Sequence, residues 1–317
     1  MSHKKAIILT CGIALLWSLA GWNIKMITWS PYAIAAGRSI ISVVLLLPMV
    51  VKGKSLHISR NVIGGAVCYT IFNYCFIIST KLATSAIAIM MQYTAPVYVA
   101  VLAWIFLKER ITKADLISIV FIFGGMFLFF TDEAGGGSTA GKIIAVFNGI
   151  SFAGISIFLR LEKDGDPKLC MFFGNLLSGI VGIPFIATAG PLDTSGFFFL
   201  LLAGILCALT YTLYAAASTG LSALETVLLP IIDPVMNPVW VFLFLGEAPG
   251  SKSIMGAAVV LIAVTARVVS VYKTRKAVWP ETLIFTAFNV KAVTYMRSVQ
   301  VIVLPGITVK LILNAGN

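Results

Sequence analysis

The sequence predicts an all-α polytopic membrane protein with ten transmembrane helices arranged as two inverted five-helix repeats, and three observations carry that expectation. Of its 317 residues, 59% are hydrophobic and 11% charged, whereas soluble domains carry a charged fraction of about a quarter. The apolar residues fall in runs near the ~20 residues that cross a hydrocarbon core. One stretch of the first half also recurs in the second.

Spans are expected over residues 6–24, 31–51, 62–79, 85–107, 114–130, 142–159, 168–188, 195–217, 223–245 and 251–272. Lipid offers an unpaired amide no water, so each should be helical, or broken only where protein or a cavity covers the break. The first run follows Lys4 and Lys5 and ends near Leu19-Ala20-Gly21, the outline of a secretory signal. Nine further spans favour a retained first helix. The glycine-rich segment from Asp132 to Ala140 reads as a loop. The chain then divides into a first repeat over residues 1–131, an outer linker over 132–141, a second repeat over 142–272 and a cytoplasmic tail over 273–317 to which no role attaches. Pro305, Gly306 and Lys310 interrupt the tail's apolar run, which argues against an eleventh span.

Orientation follows from Lys and Arg, which accumulate on the cytoplasmic side. With the N-terminus inside, inner segments hold Lys4, Lys5, Lys52, Lys54, Arg60, Lys108, Arg110, Lys113, Arg160, Lys163 and Lys168, and Lys273, Arg275 and Lys276 follow the last span. Outer loops hold Lys25, Lys81, Lys142 and Lys252. Both termini are therefore expected in the cytoplasm, with the chain in a plasma or bacterial inner membrane. Topology and anionic lipid heads account for the net charge of +11 without a nucleic-acid partner. The five cysteines form no close CxxC pair and read as small buried hydrophobes, and no metal or cofactor is implied.

The repeat emerges when QYTAPVYVAVLAWIFLKERIT from Gln92 is laid over PIIDPVMNPVWVFLFLGEAPG from Pro230. At one constant offset Pro96 meets Pro234, Val97 meets Val235, Val101 meets Val239, Phe106 meets Phe244, and Glu109 meets Glu247. A unit with an odd number of helices makes its second copy enter from the opposite side, which is inverted topology. Lys108 and Arg110 flank Glu109, whereas Gly246 and Ala248 flank Glu247, as inner and outer turns should differ.

Helix breaks at matching positions of two such halves point to the binding site. Pro96 removes the amide that would bond the carbonyl of Gln92. Pro230, Pro234 and Pro238 recur along one stripe of the ninth helix. These prolines either line a cavity or are tolerated kinks. Asp233 beside Pro234 is the leading candidate, because a carboxylate there needs a partner, water or a proton. It is expected to bind a cationic group or exchange a proton, or else to hold helices together in an ion pair. Arg38 in the second helix is its expected partner, or a fork for a substrate carboxylate. Arg267 can snorkel to the interface, and Glu225 is expected to be wet. Trp17, Asn73, Tyr74, Gln92, Tyr93, Asn148, Ser151, Tyr211, Asn237 and Trp240 complete the candidate pocket or pack helices.

Enzymatic chemistry lacks its residues. The two histidines, His3 and His57, lie outside the spans, and neither HExxH, paired intramembrane Asp, P-loop nor dinucleotide loop occurs. A membrane enzyme or a channel is the remote alternative, and a channel needs no mirrored, kinked halves. LLWSLAGWNIK in the first helix, AAGRSI in the second, TAPVYVAVLAWIFLKERIT followed by a Gly-Gly helix, and LGEAPGSK near the end together resemble the EamA type of the drug/metabolite transporter superfamily, over roughly residues 6–272. The resemblance implies an exporter of amino acids, related metabolites or drugs, alternating its access through a central cavity. Its partners would be a small-molecule substrate, the bilayer and, on an antiport reading, protons. Small multidrug exporters of that superfamily couple protons through a carboxylate in the first helix. Here that helix has none, so drug/proton antiport would require Asp233 in that role.

Overall fold

A computed structural model describes residues 1–51, 57–108, 113–131, 137–230, 232–246 and 250–278. Every regular element among them is helical: α1 (His3–Trp17), α2 (Ala20–Lys25), α3 (Pro31–Val51), α4 (Arg60–Leu82), α5 (Ser85–Gln92), α6 (Ala95–Leu102), α7 (Lys113–Phe130), α8 (Thr139–Leu161), α9 (Lys168–Ala187), α10 (Thr194–Ser218), α11 (Ala223–Leu228), α12 (Ile232–Leu245) and α13 (Ser251–Val278). A π-helical turn, Ala103–Leu107, extends α6 and ends on Lys108, whose φ of 55° is left-handed. The compact unit is Met1–Val268; of a second unit, Val269–Asn317, the structure describes the last turns of α13. Glu109, Glu247, the linker residues 132–136, the side chain of Arg267 and the tail beyond Val278 lie outside the described residues.

Seven stretches are long and apolar enough to cross a membrane: His3–Lys25, Pro31–Val51, Arg60–Leu82, Ser85–Phe106, Thr139–Leu161, Lys168–Ala187 and Thr194–Ser218. Leu116–Leu128, Asp233–Leu245 and Ser251–Ala263 are shorter apolar helices. Burial runs opposite to that of a water-soluble protein. Val44, Phe121, Ile183 and Leu243 face outward, whereas Arg38, Asn73, Asn148, Asn175, Asp233 and Asn237 are buried. Only an apolar solvent rewards that arrangement.

Several helices start on a side-chain cap. Ser59, Thr84, Ser138 and Asp193 each accept from a backbone amide of the first turn, and Ser222 forms a reciprocal capping box with Glu225. α4 packs on α8 and α9, and α3 on α9 and α10. Between them Trp17, Phe72, Phe152, Tyr211 and Tyr214 form a continuous ring cluster, with Trp17 5.0 Å from Tyr211 and 4.9 Å from Tyr214.

Loop contacts sort into two ends. At one, Trp29 Nε1 donates to Gly190 O (3.0 Å), Lys81 Nζ to Ile27 O (2.6 Å), Ser138 N to Leu82 O (2.8 Å) and Lys252 Nζ to Thr131 O (3.0 Å). At the other, His3 Nε2 lies 3.1 Å from Glu225 Oε1, Ser59 Oγ donates to Glu162 Oε2 (2.5 Å) and Arg160 Nη1 to Leu221 O (3.4 Å). Glu225, expected to be wet, has 13% of its side chain exposed, because the capping box and His3 hold it against the bundle.

Three stretches expected as single helices are interrupted. The first breaks after Trp17, the fourth after Gln92 and the ninth after Leu228. Proline explains the last two. Pro96 sits in the first turn of α6 and Pro234 in that of α12, where a missing amide costs nothing, while Pro238 stays inside α12. The first break has no proline. There Ser18 Oγ donates to Leu15 O at 2.7 Å, and the amide of Leu19 bonds Leu16 O instead, at 3.4 Å.

Candidate functional site

A buried amide or carbonyl released by a helix break must find another partner. Here the side chains of facing helices supply it. Asn237 Nδ2 donates to Ser18 O at 2.9 Å, and Trp240 Nε1 to Ser18 Oγ at 3.0 Å, so α12 clamps the first break. Pro234 has no amide for the carbonyl of Pro230, which instead accepts from the Tyr93 hydroxyl at 2.5 Å and the Asp233 amide at 3.1 Å. Thr94 Oγ1 covers Met91 O at 2.6 Å. α2 approaches α5 and α12 so closely that a Cβ at Gly21 would overlap Ser85 Oγ and the Asn237 amide. Glycine is therefore required at that crossing.

The breaks border a narrow cavity in the bundle interior. Trp17 and Asn23 line it from the first span, Arg38 from α3, Phe76 from α4, Gln92 from α5, Cys207, Thr210 and Tyr211 from α10, and Asp233 from α12. Trp17 Nε1 donates to Thr210 Oγ1 at 2.8 Å, which fixes the indole against Tyr211. Arg38 is 4% exposed and gives two donors to Asn73 Oδ1, Nε at 2.8 Å and Nη2 as well. Asn73 Nδ2 is anchored in turn on Ser39 Oγ at 3.0 Å and Ala35 O at 3.2 Å. Phe76 lies 6.0 Å from the guanidinium carbon.

Asp233 is 1% exposed. Its Oδ2 accepts from the Tyr93 hydroxyl at 3.4 Å, and its Oδ1 has no hydrogen-bond partner among the described residues. The expected ion pair with Arg38 is not formed: Arg38 bonds Asn73, and the one salt bridge among the described residues joins His3 to Glu225. Both ionisable groups face the cavity, and they form no ion pair with each other there.

Of the residues singled out from sequence, Trp17, Arg38, Gln92, Tyr211 and Asp233 line the cavity. Asn73, Tyr93, Asn237 and Trp240 stand behind it and brace the lining or the breaks. Tyr74 and Ser151 are elsewhere: Tyr74 OH donates to Ser178 O at 2.8 Å, and Ser151 Oγ returns to its own helix at Phe147 O, 2.6 Å away. Asn148 Nδ2 donates to Ala88 O at 3.2 Å, tying α8 to α5. Sequence reasoning missed Asn23, Phe76, Cys207 and Thr210. Only Asn23 carried a signal, a carboxamide inside an apolar run two residues before Lys25 ends it. All five cysteines are free thiols; Cys170 and Cys207 are buried and the others half-buried.

An apolar exterior around a buried cavity bordered by broken helices defines a multi-pass helical membrane protein. The chain belongs to the EamA-like transporter family, whose model matches it twice, over residues 4–131 and 139–268. It is 26% identical over 248 residues to the uncharacterized transporter YwfM of Bacillus subtilis, a match covering 74% of this chain and 82% of that protein. To an uncharacterized transporter of Archaeoglobus fulgidus it is 24% identical over 234 residues, covering 72% and 84%. One crystal structure superposes with a TM-score of 0.64 at 15% identity, spanning 84% of this chain and 98% of the other. The protein is thus a membrane transporter and not an enzyme.

Proposed function

We propose that the protein exports small organic metabolites, amino acids among them, by alternating access around the cavity between α1–α2, α3, α10 and α12. The observation that carries this reading is Asp233 Oδ1, a carboxylate oxygen buried in the chamber with no protein partner among the described residues. A buried carboxylate in that condition is costly unless a cation, a proton or water arrives. An ammonium group supplies the charge, and Arg38 Nη1, which makes no hydrogen bond among those described, is available to a carboxylate. The rings of Trp17, Phe76 and Tyr211 suit an apolar side chain.

Ten spans in two inverted repeats belong to the same proposal. The seven long apolar stretches and three shorter ones sum to ten, and the breaks after Gln92 and Leu228 fall within two residues of corresponding positions of the repeated sequence. The repeats would be residues 1–131 and 142–272, joined by the outer linker 132–141 and followed by the tail 273–317. Both termini would be cytoplasmic: the end of the bundle holding His3 and Ser59 also gathers Lys4, Lys5, Arg60, Arg160, Lys163 and Lys168.

A second reading, proton-coupled antiport of cationic solutes, rests on the same carboxylate. Counterflow in proteoliposomes against amino acids, nucleosides and cationic drugs at two pH values tests both. Under either, Asp233→Asn lowers flux at least about tenfold through the lost charge-assisted bond. Under antiport the residual flux also loses its dependence on a pH gradient. A variant with unchanged rate and pH response excludes both roles for Asp233.

A further inference from the structure

Asn23 is 1% exposed and lines the chamber, yet neither Oδ1 nor Nδ2 has a hydrogen-bond partner among the described residues. Two carboxamides beside the chamber, Asn73 and Asn237, differ. Asn73 is used at both ends, by Arg38 and by Ser39 with Ala35, and Asn237 at both, by Ser85 and Ser18. An amide with donor and acceptor both idle in a buried site carries the desolvation cost of two polar atoms without return. Packing does not require it, because leucine offers the same branched shape without that cost. Its backbone is also fixed: α2 is pressed onto α5 and α12 at Gly21, two residues earlier, so Asn23 cannot withdraw to the bundle surface.

We propose that Asn23 is a specificity residue of the solute site, reading a neutral group that presents a donor and an acceptor together, such as a hydroxyl or a primary amide. This rests on the reading of the cavity as the solute site. Asp233 and Arg38 address charged ends of the solute, whereas a carboxamide matches an uncharged group through paired, complementary bonds. A site built to bond a hydroxyl or amide rejects the analogue that lacks it, because its own polar atoms are then left unpaired.

The test uses the full-length protein in proteoliposomes, with counterflow of two near-isosteric pairs, L-tyrosine against L-phenylalanine and L-glutamine against L-methionine. The wild type favours the first member of at least one pair. Asn23→Leu lowers that preference roughly tenfold or more, and Asn23→Ser, which keeps one hydroxyl, retains part of it. The melting temperature of the detergent-solubilised, solute-free protein holds or rises in Asn23→Leu, while the stabilisation given by the preferred solute is lost. No preference in the wild type, a preference that survives Asn23→Leu, or a solute-free melting temperature that falls would each overturn the proposal. If Asp233→Asn abolishes flux while Asn23→Leu leaves the preference intact, the role of Asn23 alone falls. If neither variant alters flux, the cavity reading falls with it.

Discussion

Arg38 shows how one buried cation is kept in an apolar bundle. Its guanidinium gives two donors to Asn73 Oδ1, and Asn73 is itself fixed by Ser39 and Ala35. Asn73→Ala leaves the charge without its acceptor, so we expect a loss of roughly 1.5–3 kcal/mol, the range for hydrogen bonds to charged groups, read as a lower melting temperature in detergent. Arg38→Lys should not restore function, since a single ammonium cannot deliver two nitrogens in one plane. At this scale the sequence was informative about kind and poor about partner. Arg38 and Asp233 were legible as buried charges, because any ionisable residue within an apolar span stands out. Their separation was not, because Asn73 comes from another helix, and nothing in a linear sequence tells which of two polar neighbours a guanidinium will meet.

Between residues and the whole fold stand the interrupted helices. Proline marked two of the three interruptions in advance, since its missing amide is a local property. The third, at Ser18, depends on a hydroxyl turning back to Leu15 O while Trp240 and Asn237 reach it from the far end of the chain. Such a contact leaves no local signature. The Tyr93 hydroxyl joins the fourth and ninth spans at their breaks. Tyr93→Phe removes it and leaves the carbonyl of Pro230 with the Asp233 amide alone. We expect a cost of about 0.5–1.5 kcal/mol in stability and a changed maximal flux, because this bond must part if the two breaks separate during transport. Stability loss with unaltered flux would show that the two breaks stay together throughout the cycle.

For the molecule as a whole, composition alone dictated lipid as solvent, and the all-helical bundle with apolar residues facing outward follows from it. The span boundaries were readable to within a few residues where caps such as Ser59 and Asp193 begin a helix. The cavity was only half readable, because Trp17 and Tyr211, which line it, and Tyr74 and Ser151, which bond backbone carbonyls elsewhere, look equivalent in sequence. Orientation can be measured directly. In a background without the five native cysteines, Asp164→Cys and Thr188→Cys should label with a membrane-impermeant maleimide from opposite faces, the first only from the cytoplasm. Labelling of both from one face would show that α9 does not cross the membrane, and the ten-span arrangement would fall.

The three interruptions differ in permanence. Those at Pro96 and Pro234 are written into the imino acid and survive any rearrangement of the bundle. The one at Ser18 is kept open by a rotatable hydroxyl and by two hydrogen bonds that α12 contributes. Retreat of α12 frees that hydroxyl to turn and the Leu19 amide to rejoin Leu15 O, so the first span, alone of the three, can heal into one continuous rod.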